Sequence, residues 1–254
     1  MKKMIAILAA AMLFWGASAS ADTLDFLKPF WMQMMDGVSN TASGKIPENV
    51  TVTCTDERLT VEACGVLLEN DYSAEAHVYA VLKNTGSERL PIRSVQMTVL
   101  GANGNTLHQE NYVSYMPSVV EPGETMLVSE WMYDFVKEID KVHSIQISVE
   151  TASRVNEKWK QLGDVRAWLD GDYLCVEFTN TTEKTLFGVI CAATVSDANG
   201  QILDMMMQSP YDTDDLGIAQ GSSIVWRKRL EDAATLKIGT DAVCKAWAYR
   251  MEDL

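Results

Sequence analysis

The stretch LCVEFTNTTEKTLFGVICAATVSDANGQILDM, residues 174–205, repeats VYAVLKNTGSERLPIRSVQMTVLGANGNTLHQ, residues 78–109, without a gap at an offset of 96. The offset pairs Asn84 with Asn180, Leu90 with Leu186, Thr98 and Val99 with Thr194 and Val195, and Ala102-Asn103-Gly104 with Ala198-Asn199-Gly200. Two residues inserted in the second copy then set EPGETMLV (121–128) against AQGSSIVW (219–226). One supersecondary unit is used twice.

Within each copy the apolar period is two. Val78, Ala80 and Leu82 alternate with Tyr79, Val81 and Lys83, and Leu174, Val176 and Phe178 alternate with Cys175, Glu177 and Thr179. Successive side chains of a strand point to opposite faces, so this alternation marks half-buried strands. Between them lie N-T-G-S-E, N-T-T-E-K, A-N-G-N, D-A-N-G and E-P-G-E, all turn formers. The expectation is all-β: two tandem antiparallel sandwiches with a short, helix-like N-terminal leader.

Working outward, VTVTCT (50–55) and RLTVEACGVLL (58–68) read as an N-terminal hairpin, and HSIQISVE (143–150) closes the first sandwich. The second opens with VRAWL (165–169) and closes with AVCKAWAYR (242–250). The divisions are a signal peptide at 1–21, a leader at 22–45, a sandwich at 46–150, a linker at 151–163 and a second sandwich at 164–254. Lys2 and Lys3, the apolar run Met4–Trp15 and an A-x-A at Ala19 and Ala21 form the three-part pattern of a secretory signal, with cleavage expected before Asp22. That run is too short for a spanning helix, and no later segment reaches about 20 apolar residues. In the leader, Phe30 with Met34 and Trp31 with Met35 stand four apart, one apolar side of a short helix.

Composition excludes several partners. A formal net charge of -14 repels phosphate backbones and anionic lipid, which argues against nucleic acid and membrane docking. His77, His108 and His143 stand alone, without a metalloprotease, serine-hydrolase or phosphate-loop motif, so no catalytic residue and no cofactor is implied. Asp197 and Asn199 resemble the start of a calcium loop, yet Gly101 stands where Asp197 does in the other copy. What both copies keep is the Asn-Gly of a tight hairpin.

Three features remain as candidates. Met32, Met34 and Met35, with Met205, Met206 and Met207, concentrate thioethers that select copper(I); core packing or partner contact is the commoner use. Alternation also turns Met206 away from Met205 and Met207, against a three-sulfur site. Cys54 and Cys64, on the strands of the expected hairpin, are placed for a cross-strand disulfide, Cys191 is a buried thiol, and Cys175 and Cys244 could pair across the second sheet. Trp131, Tyr133 and Phe135 recur at period two, as do Trp247 and Tyr249, and read as core or as a surface for a sugar or protein. Asn180 begins a glycosylation sequon that reads as a turn.

The order Asn-Thr-Thr, strand, D-A-N-G-Q-I-L, then a Gly-led turn resembles the FxLYD-type domains of exported bacterial proteins, as does K-N-T-G, strand, A-N-G-N-T-L, E-P-G-E in the first copy. The resemblance spans about 75–132 and 172–230 and implies an immunoglobulin-like sandwich outside a bacterial cell, with no reaction attached. The expected role is a binding, adhesion-like or spacer module of the envelope with a protein or cell-wall partner. The alternative is a Met-rich copper(I)-handling protein. An exposed edge strand near Met205–Met207 is the expected point of contact.

Overall fold

In the computed structural model, which describes residues 50–69, 75–133, 139–153, 158–208, 217–231 and 238–252, the chain is all-β. The signal and leader segments, with Met32, Met34 and Met35, lie outside the described residues.

Among the described residues the first copy supplies nine strands. They are β1 (Thr51–Cys54), β2 (Leu59–Glu69), β3 (Glu75–Asn84), β4 (Leu90–Gly101), β5 (Thr106–Glu110), β6 (Ser114–Met116), β7 (Val119–Val120), β8 (Thr125–Met132) and β9 (Val142–Thr151). One sheet runs β1-β9-β4-β5 with β7 against β4, and a second runs β2-β3-β8-β6. The second copy supplies β10 (Lys158–Leu162), β11 (Val165–Asp170), β12 (Tyr173–Thr179), β13 (Val189–Ser196), β14 (Ile202–Met207), β15 (Ser223–Arg229) and β16 (Val243–Glu252). These form a third sheet, β10-β16-β13-β14, and a fourth, β11-β12-β15. Among the described residues, every strand pairing is antiparallel except that of β1 with β9.

The two segments share hydrogen bonds and glycine conformations at several turns. Gly104 and Gly200 both have positive φ, at 75° and 83°. Gly101 N–H donates to Asn105 O and Asp197 N–H to Gln201 O, the same bond 96 residues apart. Asn84 and Asn180 are fully buried. The Asn84 side-chain amide donates to Glu88 O (2.8 Å) and Val120 O (3.0 Å), while that of Asn180 donates to Lys184 O (2.8 Å) and Ile218 O (2.7 Å). Each Oδ1 accepts a backbone N–H two residues on, from Gly86 and Thr182. The partners at 120 and 218 differ by 98, so the two inserted residues fall between the turns that each asparagine ties together. Both amide protons of Asn180 are used, which makes its sequon a structural turn.

The alternating side chains fill two apolar clusters. Val78, Ala80 and Leu82 of β3 meet Val95, Met97 and Val99 of β4 and Ile145 and Ile147 of β9 between the first two sheets. The other series on β3, Tyr79 and Val81, is buried too. With Leu67, Met116, Val119 and Leu127 it joins the apolar cluster of the second copy. The outer face of the second sheet is therefore covered by the third, and β13, VICAATVS, is buried along its whole length. At about 1.5–3 kcal/mol per buried large apolar side chain, that shared face is worth on the order of 10 kcal/mol. Gly65 shows how close the approach is: a Cβ there would sit 1.8 Å from the carbonyl oxygen of Ile202. Tyr249 OH donates to Thr125 O (2.9 Å) and Trp159 Nε1 to Ser118 Oγ (2.8 Å) across the same junction.

Two expectations are corrected at the start of the first copy. The strands β1 and β2 are not a hairpin: β1 pairs with β9 and β2 with β3. The Asp56 carboxylate holds Arg58 N–H and the Arg58 guanidinium, a turn that carries the chain from one sheet to the other. Cys54 and Cys64 consequently lie on facing sheets, and both are free thiols. Of the segment 151–163 read as a linker, Lys158–Leu162 form β10 and pair with β16.

Candidate functional site

Methionines and a basic run meet at the junction. Among the described residues, β14 is at one edge of the third sheet and β15 at one edge of the fourth. Between them lies a groove of about 600 Å³ lined by Met205, Met206, Met207 and Gln208 on one side, Trp226, Arg227 and Lys228 on the other, and Ser114 and Ser129 from the first copy. Consecutive residues of a strand point to opposite faces, so a groove bordered by three or four in a row follows the strand edge itself.

The methionines sit there because β13 leaves room. Ala192 and Ala193 stand opposite Met207 and Met206 in the register, two small side chains facing two large ones. Met205 and Met206 are buried and Met207 half-buried.

The floor is tied by Asp204, which sequence reasoning missed. Its side chain is fully buried. Oδ1 accepts from Tyr79 OH (3.1 Å), Lys228 Nζ (2.7 Å) and Met205 N–H (2.7 Å), and Oδ2 accepts from Glu231 N–H (3.2 Å). Lys228 Nζ also donates to Met205 O (3.2 Å) and stands 3.4 Å from Glu231 Oε1. A buried carboxylate is tolerable only when its lone pairs are occupied, and here a tyrosine of the first copy and a lysine of the second occupy them. The signal was an acid inside the apolar run ILDMMM. Lys228 is thus a fixed positive wall of the groove rather than a free amine.

The outer face of the fourth sheet forms a three-by-three grid by register. Arg166, Glu177 and Val225 make one row, Trp168, Cys175 and Arg227 the next, and Asp170, Tyr173 and Arg229 the third. Arg227 lies 4.5 Å from the Tyr173 ring centroid and donates to Asp170 (3.1 Å), and Arg166 lies 5.2 Å from that of Trp168 and donates to Glu177. Cys175 shares this outer face, whereas Cys244 packs with Ala246 and Ala248 against the inner cluster. Cys175 belongs to β12 of the fourth sheet and Cys244 to β16 of the third, and both are free thiols.

The remaining candidates disperse. Trp131 stacks on His77 at 4.8 Å and on Tyr133 at 4.9 Å, and Trp131 and Tyr133 are 41% and 60% exposed; Phe135 lies outside the described residues. Trp247 and Tyr249 are buried. Cys191 is a buried free thiol whose pKa burial pushes far up. Asp197 spends its Oδ1 on the N–H groups of Asn199 and Gln201, both at 2.9 Å. Among the described residues no three His, Cys, Asp or Glu side chains are grouped to hold a metal ion, and no helix is long and apolar enough to cross a membrane.

No family model matches the chain, and no curated protein matches it. Among solved structures, the crystal structure of red sea bream transglutaminase resembles it at 12% identity over 69% of this chain and 27% of that one, with a TM-score of 0.20. The chain thus spans about a quarter of that enzyme, a likeness too slight to bear on fold or activity.

Proposed function

We propose that the chain is an exported, non-catalytic binding module of the bacterial cell envelope, two immunoglobulin-like sandwiches fused face to face, which takes a protein partner in the groove between β14 and β15. The observation that carries this reading is the groove: two strand edges with methionine and tryptophan beside them and serine, glutamine and arginine around them. Unpaired strand edges recruit strands, methionine adapts to varied shapes, and apolar walls with a polar rim are the anatomy of an interface. The signal-like N-terminus and the FxLYD-like turn pattern support the location.

A photo-crosslinking side chain at Val225, on β15, tests it against the same group at Val243, on β16; the two residues are 46% and 49% exposed. In envelope extracts the first position is expected to capture one discrete product and the second none. The same bands from both positions would end the assignment to the groove. Export is checked by the mass of the secreted product, expected to begin at Asp22.

The second reading, copper(I) handling, draws on Met205, Met206 and Met207 bordering one groove. Titration against a chromogenic copper(I) chelator decides it. Saturable binding that disappears when the three are replaced by leucine would establish copper; no competition with the chelator would remove it.

A further inference from the structure

We infer that Lys228 and Asp204 close, by loss of water, into an amide bond between their side chains, with Glu231 carrying the protons. The inference concerns the floor of the groove and does not depend on what the groove binds.

The fold brings the amine and the acid together. Asp204 belongs to β14 of the third sheet and Lys228 to β15 of the fourth, and Nζ lies 2.7 Å from Oδ1. That contact puts the amine roughly 3–3.5 Å from Cγ, the separation from which a nucleophile attacks. Ile224 and Trp226 pack on the inner cluster, and alternation puts Lys228 in the same series. Leu174, fully buried, stands opposite Lys228 in the register, and Val195, also fully buried, stands opposite Asp204. The Asp204 side chain is fully buried and that of Lys228 is 30% exposed. Burying two opposite charges is costly, and condensation removes both.

The surrounding groups suit the reaction. Attack on Cγ leaves negative charge on Oδ1, which already accepts from Tyr79 OH (3.1 Å) and Met205 N–H (2.7 Å). Donors held in place where charge develops lower the barrier. Oδ2 is the oxygen that leaves, and it accepts from Glu231 N–H (3.2 Å). The Glu231 carboxylate stands 3.4 Å from Nζ, so it takes a proton from the ammonium, frees the nitrogen lone pair and passes the proton to Oδ2.

The balance closes without another reactant. The Nζ–Cγ bond forms as the Cγ–Oδ2 bond breaks. Of the ammonium's protons one stays on the amide nitrogen and the other two leave with Oδ2 as water, and the charges of lysine and aspartate cancel. Free acids and amines do not condense in water, but groups held in register react with effective molarities of about 10⁵–10⁸ M. Oδ1 keeps both donors, now as an amide oxygen. The bond joins two sheets and closes residues 205–227 into a ring, so pulling on the second copy does not part β14 from β15. The first copy lacks the set: offsets of 96 and 98 place His108, Glu130 and Tyr133 at these positions, with no amine among them.

Intact mass spectrometry of the full chain, at intervals after a pulse of synthesis, tests this and needs no variant. The protein should become lighter by one water than its sequence from whichever N-terminus it carries, and digestion should release a branched peptide joining Asp204 to Lys228. Lys228→Arg, which retains the positive charge but is a far poorer nucleophile, should stay at the full sequence mass. Glu231→Gln should close about a hundredfold more slowly. A wild-type chain at full mass at every interval, with no branched peptide, overturns the inference and leaves the pair ionic. A deficit that persists in Lys228→Arg places the water loss elsewhere and overturns it as well. Equal rates in Glu231→Gln and wild type overturn the role of Glu231.

Discussion

The two copies agree at their turns and differ on their outer faces. Asn84 and Asn180 make the same bonds to the same relative partners, and Gly104 and Gly200 share a left-handed backbone. Away from these points the copies diverge according to what covers them. Tyr79 of the first corresponds to Cys175 of the second, and His108 to Asp204. The turns preserve the strand connections, whereas the outer faces carry whatever each copy touches, so function is to be sought where the copies disagree.

The largest effect is expected where they disagree. Asp204→Ala leaves Lys228 and the Tyr79 hydroxyl without their shared acceptor; with Lys228 still partly hydrated, the loss is about 3 kcal/mol. His108→Ala, at the matching position, should cost less than about 1 kcal/mol. Denaturant unfolding compares the two, and equal losses would mean that Asp204 is no special clasp. Next in size, Asn84→Ala and Asn180→Ala should each cost about 2 kcal/mol, since each orphans one buried carbonyl, one part-buried carbonyl and one N–H. Values differing by more than about 1 kcal/mol would break the equivalence of the copies. Gly104→Ala and Gly200→Ala, at positive φ, should each lose about 1 kcal/mol, measured the same way.

The smallest effect concerns reactivity. Thiolate is the attacking form, and burial raises the Cys191 pKa, so its thiolate is suppressed in the folded state. Iodoacetamide should leave Cys191 unmodified in native protein from pH 7 to 9 and modify it after unfolding. Modification of native protein that rises across that range would show the thiol to be open.

The strands with their turns could be read from the sequence, because period two and Asn-Gly have local causes. The crossing at 55–58 could not: Asp56 and Glu57 suit a hairpin and a change of sheet equally well, and only the pairing of β1 with β9 decides. The covered outer face had left a trace. Tyr79 and Val81 are apolar in the series that a solvent-facing side would fill with polar residues, and β13 is apolar but for Thr194 and Ser196, close to the pattern of strands buried on both faces. Asp204 left the opposite trace, one acid among Ile202, Leu203 and three methionines, and its partners Tyr79 and Lys228 lie too far along the chain for periodicity to connect. The groove was anticipated only as an edge near Met205–Met207; β15, its other wall, gave no local sign.

The shared face also has a consequence for biogenesis. While the chain is being made, Leu67, Tyr79, Val81 and Leu127 emerge before the residues that will cover them, and Tyr249, which bonds Thr125 O, emerges 124 residues after it. The first half must wait with a greasy side uncovered, the kind of exposure that chaperones recognise and that drives aggregation. A polypeptide stopped after Thr151 would retain that uncovered side for good, so synthesis interrupted midway yields a sticky fragment rather than half of a working protein.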